Sequence, residues 1–107
     1  KKLIQSRKKV KKIFHIEQEK RNRDRAVEAI KHELRKYIKR EKKKKLPNSA
    51  TMYWDFDCKF GQNSQNAKVS TFDEVIKSLD IANSNNWSEC YIEIIAKAVD
   101  KPIKEDV

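Results

Sequence analysis

Across residues 54–60 every second side chain is large and apolar: Trp54, Phe56, Cys58 and Phe60 alternate with Asp55, Asp57 and Lys59. An extended strand explains this pattern, because its successive side chains point to opposite faces and the four apolar ones then line a single face. The segment, with Tyr53 ahead of it and Gly61 at its end, predicts a half-buried strand. A sheet with one apolar face has to bury that face, so further strands, and helices carrying an apolar stripe, are required elsewhere in the chain.

Both are found. In IFHIEQ, Phe14 and Ile16 alternate with His15 and Glu17, a strand starting near Lys12. In ECYIEIIAK, Cys90, Ile92, Ile94 and Ala96 alternate with Tyr91, Glu93, Ile95 and Lys97, a last strand. AKVS, after the turn material GQNSQN, reads as a short third strand; without it a three-stranded sheet under two helices remains. Val27, Ile30, Leu34, Tyr37 and Ile38 recur at steps of three and four and predict a long helix over about residues 24–45, with Asn22 as N-cap and Asp24 in its first turn. Its basic end at Lys42, Lys43, Lys44 and Lys45 suits the negative pole of the helix, and Pro47 follows. TFDE, Thr71 with Glu74, forms a capping box ahead of Val75, Ile76, Leu79 and Ala82, a second helix closed by residues 83–86.

The order β-α-β-β-α-β defines an α+β, single-domain ferredoxin-like sandwich, an antiparallel sheet with two helices on one face. Right-handed crossovers place its strands in the order 4-1-3-2, with the first and third central. At 107 residues the chain suits one domain. Residues 1–11 are expected to be a basic, flexible arm, residues 12–99 the domain, and residues 100–107 a polar tail. No apolar run approaches the roughly 20 residues that span a bilayer, and no apolar h-region follows the basic start, so the chain is expected to be cytoplasmic and without a secretory signal. It begins with Lys rather than Met, so residues of the natural N-terminus are expected to precede it.

Cys58 and Cys90, the only cysteines, belong to no CxxC or CxxH pair and are expected as buried free thiols on opposite edges of the sheet in a reducing compartment. His15 and Glu17 on the first strand lie two strand spacings, of about 4.8 Å each, from Asp55 and Asp57, too far for shared coordination. There is no Gly-rich phosphate loop and no convergent set of titratable groups, so neither a catalytic residue, a metal nor a cofactor is expected.

The segments VEAIKHELRKYIKRE and WDFDCKFG, with LP between them and YIEIIAK after them, resemble a family of small bacterial proteins of unknown function, over roughly residues 12–97. The resemblance implies a compact α+β domain and supplies no activity or functional residue.

Charge gives the functional lead. Residues 1–47 hold 20 Lys and Arg against 6 Asp and Glu, a balance of +14, whereas residues 48–107 hold 6 against 10, a balance of −4. The candidate polyanion-binding residues are Arg21, Arg23, Arg25, Arg35, Lys36, Lys39, Arg40, Lys42, Lys43, Lys44 and Lys45, on the long helix and its flanks, with the lysines of the arm beside them. A solvated helix face that keeps the protein soluble accounts for the same residues. The expected partner is nucleic acid, RNA rather than DNA, or the ribosome, bound by shape and charge, because the central strands offer no aromatic platform for bases. The alternative is a non-enzymatic protein-interaction subunit of a larger assembly, docking through Tyr53, Asp55 and Asp57 on an acidic open sheet face. On their own, those aspartates are explained as charges that guard an exposed edge strand.

Overall fold

A computed structural model describes residues 4–102, with side chains from Lys9 onward. The elements are β1 (Ile4–His15), α1 (Arg23–Lys42), β2 (Met52–Gly61), β3 (Lys68–Ser70), α2 (Phe72–Ser84) and β4 (Glu89–Asp100). This is the β-α-β-β-α-β order read from the sequence, in one four-stranded sheet whose pairs are all antiparallel.

The strand order is β1-β4-β2-β3, not 4-1-3-2. Both crossovers are still split: α1 joins β1 to β2 across β4, and α2 joins β3 to β4 across β2. The central strands are the two with the longest regular apolar alternation. They pair from Met52↔Asp100 to Gly61↔Tyr91. The edges fall to three-residue β3 and to β1, whose lysines suit an edge better than a centre.

Strand β1 begins eight residues before the expected Lys12, so residues 4–11, assigned to an arm, form its first part and pair with β4 through a register shift between Gln5 and Lys9. Residues 1–3 and 103–107 of the expected arm and tail lie outside the described residues.

The core lies between the helices and one sheet face. Phe14, Ile16, Cys58, Phe60, Cys90, Ile92 and Ile94 meet Val27, Ile30 and Leu34 of α1 and Val75 and Leu79 of α2. Burial alternates along β4: Cys90, Ile92, Ile94, Ala96 and Ala98 are closed off, while the residues between them are partly exposed. Helix α1 lies over β1, and α2 over β2 and β4.

The helix ends follow their predicted chemistry. The Arg25 N–H donates to Asn22 Oδ1 at 2.8 Å. At Thr71 the capping box is complete: Thr71 N–H donates to Glu74 Oε1 at 2.8 Å and Glu74 N–H to Thr71 Oγ1 at 3.1 Å. The hydrogen bond from the Thr71 backbone holds the Glu74 carboxyl below its ordinary range. Helix α2 ends in a Schellman motif, with Asn86 left-handed at φ 60°, its N–H donating to the Asn83 carbonyl and that of Trp87 to the Ala82 carbonyl. Helix α1 stops at Lys42 rather than Lys45. The Lys44 carbonyl beyond it accepts the Trp54 indole N–H at 2.9 Å, which fixes the linker into β2.

Lys31, on the buried stripe of α1, bonds Asp80 of α2 at 2.7 Å and Glu28 at 3.4 Å. Burial pulls its pKa down, but these two carboxylates outweigh that and leave it raised.

The cysteines occupy neighbouring central strands, not opposite edges. Cys58 faces Ile94 across the β2–β4 pair, four residues along β4 from Cys90, about 13 Å at strand rise and beyond disulfide reach. Both are free and buried, and burial pushes each thiol up to about 12. Thiolate chemistry is suppressed at both.

Candidate nucleic-acid interface

Helix α1 buries Ala26, Val27, Ile30, Lys31, Leu34, Tyr37 and Glu41, and this fixes which face remains outside. That outer face exposes Arg25, His32, Arg35, Lys36, Lys39 and Lys42, with exposed Lys43 and Lys45 beyond its end. From Arg25 to Lys42 the row runs about 26 Å at helical rise.

The acids of α1 do not neutralise it. Asp24 accepts from the Asn83 side chain at 2.8 Å, Glu28 pairs with Lys31, Glu33 pairs with Lys12 of β1 at 3.0 Å, and buried Glu41 pairs with Lys44 at 2.8 Å. Among the described residues, Asp24, Glu28 and Glu33 form no ion pair with a cation of the outer row. Arg40, at the flank, lies over the Tyr37 ring at 5.8 Å.

Two of the predicted phosphate ligands have structural roles. Arg23 Nε donates to Asn83 Oδ1 at 3.1 Å, and its Nη2 donates to the carbonyls of Asn83 at 3.1 Å and Trp87 at 2.8 Å. It clamps the start of α1 to the end of α2. Lys44 is half-buried against Glu41. Arg21 stands exposed in the loop before α1.

Replacing Arg23 by Ala is expected to cost about 2–3 kcal/mol of stability, because three charge-assisted bonds are lost and two half-buried carbonyls lose a donor. Urea unfolding measures this.

The lysines read as part of an arm stand on the edge strand. Lys9 and Lys11 are exposed on the open side of the sheet, opposite Ile95 and Glu93, while Lys12 turns to the helix side and crosses the Phe14 ring at 4.6 Å. The positive surface therefore wraps from the outer face of α1 around the β1 edge.

The open sheet face is not an acidic rail. Asp55 and Asp57 belong to central β2, so guarding an edge does not explain them. Asp57 bonds Lys97 at 2.9 Å, Asp55 lies opposite the same lysine, and Lys59 lies opposite Glu93, which in turn faces Lys11. The hydrogen bond to Asp57 raises the Lys97 pKa. Opposed charges alternate across the central strands, an arrangement that stabilises antiparallel pairs. Tyr53 is exposed at the far end of this face. The electrical asymmetry runs instead across the strand order, from cationic β1 and α1 to α2, whose Asp73, Glu74 and Asp80 outnumber Lys77.

His15 Nδ1 lies 3.8 Å from Glu89 Oε1, and among the described residues no three His, Cys, Asp or Glu side chains are grouped to hold a metal ion. No helix among them is long and apolar enough to cross a membrane.

These features define an α+β domain with a cationic flank. Residues 10–104 match a family of unknown function (DUF6172), and the chain belongs to that family. No curated protein and no solved structure matches it.

Proposed function

We propose that this is a small non-enzymatic RNA-binding protein of the bacterial cytoplasm, acting on RNA or the ribosome, which lays the outer face of α1 along phosphates. One observation carries the reading: Arg25, Arg35, Lys36, Lys39 and Lys42 form a rigid row, and each acid of α1 is engaged elsewhere. A face that serves only solubility gains by interspersing both signs; an unneutralised row gains by releasing the counterions of a polyanion. Apart from His32 the row holds no aromatic or amide side chain to read bases, which favours recognition by shape and backbone, the common mode for structured RNA.

Fluorescence anisotropy of labelled RNA and DNA of equal length, titrated with the protein from 50 to 200 mM salt, tests this. With four to six phosphates engaged, log K is expected to fall against log salt with a slope of about −3 to −4. Absence of binding at the lowest salt overturns the proposal, and tighter binding to DNA overturns its RNA preference.

A further inference from the structure

Between edge strand β1 and helix α1 runs a groove of two shallow basins, about 460 and 420 Å³, which share Lys12 and Glu33 as lining residues. Lys12 enters the groove from β1, with Lys9 and Lys11 beside it on the strand and turned to the open sheet face; Arg40 faces Lys12 from α1, Arg21 lies at the far end, and Glu17 and Glu33 are the acids of the lining. The Lys12–Glu33 ion pair, 3.0 Å long and 55% exposed on both sides, spans the groove where the basins meet. We propose that one polynucleotide strand runs through this groove, and that Glu33, by holding Lys12, lowers the groove's affinity for it.

The groove is a second contact for the strand, one that rests on the RNA-binding reading of α1. Lys12 on one wall and Arg40 on the other suit a single sugar-phosphate chain lying along the trough. From Lys9 to His15 the trough is about 20 Å long at strand rise, room for about six nucleotides at stacked spacing. Its aromatic residues, Phe14 and Tyr37, are buried, so bases find no stacking surface and the strand is held by its backbone, indifferent to sequence. Exposed ion pairs are weak, so a phosphate competes readily with the Glu33 carboxylate for Lys12. Removing that carboxylate frees Lys12 and deletes a negative charge from the path.

The test uses the full chain with a labelled single-stranded 12-nucleotide oligouridylate and a hairpin RNA of equal length. The variants are Glu33→Gln, Lys12→Gln and the double substitution, each checked for folding by thermal melting. Glu33→Gln is expected to tighten single-strand binding about three- to tenfold and to steepen the salt slope by about 0.7, the increment for one added phosphate contact on a single strand. The double variant is expected to show neither gain. An unchanged affinity in Glu33→Gln, a gain that persists without Lys12, or an equal gain for the hairpin each overturns the proposal. A control in which Lys36, Lys39, Lys42 and Lys43 are neutralised separates the two readings. If that control loses binding while Glu33→Gln does nothing, the α1 surface stands and the groove falls. If the wild type binds neither RNA, both fall.

Discussion

Replacing Lys36, Lys39, Lys42 and Lys43 together by Gln is expected to weaken RNA binding by about two to three orders of magnitude at 0.1 M salt. Each phosphate contact on a single strand contributes about 0.7 to the salt slope, so removing four is expected to flatten it by about 2.8. The residues are exposed and the described structure gives them no ion-pair partner, so folding has little to lose. Gln keeps nearly the helix propensity of Lys, and loss of the favourable end charges at Lys39 and Lys42 costs roughly 1 kcal/mol in all. Circular dichroism melts alongside anisotropy separate the two effects. Unchanged affinity with an unchanged slope rules out the α1 face as the phosphate surface.

The second large effect is on stability. A Cβ on Gly61 would lie 2.6 Å from the Ala67 Cα, 2.7 Å from the Ala67 nitrogen and 2.8 Å from the Asn66 carbonyl carbon. All three are backbone atoms, which cannot swing away as a flexible side chain can. Gly61→Ala is therefore expected to force the β2–β3 turn open and to cost about 3 kcal/mol, at the upper end of overpacking penalties, or roughly 10–20 °C in melting temperature for a domain of this size. Gln62→Ala, one residue further on and exposed, serves as the control and is expected to lie within about 0.5 kcal/mol of wild type. A melting temperature within about 2 °C of wild type for Gly61→Ala contradicts the close approach. The only glycine of the chain is needed for space, since its φ is not positive.

Local patterns in the sequence identified most of the elements. The alternation in β2 and β4, the stripe of α1 and both helix caps depend on residues within a few positions of one another, and each appears in the structure. Strand order depends on pairing between distant segments, and a right-handed crossover leaves more than one order open. The start of β1 was hidden for a different reason. The inward position between Val10 and Phe14 is Lys12, whose ammonium reaches out to Glu33 instead of entering the core. An apolar alternation interrupted by lysine reads as an arm.

In the candidate site, the exposed row of α1 followed from the buried stripe by subtraction. The role of Arg23 did not, because its partners Asn83 and Trp87 lie 60 and 64 residues away. Lys31 is buried on the same stripe, between Val27 and Leu34, but its charge left it out of the predicted core, and its partner Asp80 lies 49 residues away.

On the proposed reading, the unequal distribution of charge across the strand order also bears on the rate of encounter with RNA. A molecule cationic at β1 and α1 and acidic at α2 carries a dipole, and the field of a polyanion turns it before contact, bringing the α1 flank forward. Fewer collisions are then lost to wrong orientation. At low salt this raises the association rate above that of an evenly charged protein of the same net charge, and the advantage fades as the Debye length shrinks below the width of the domain.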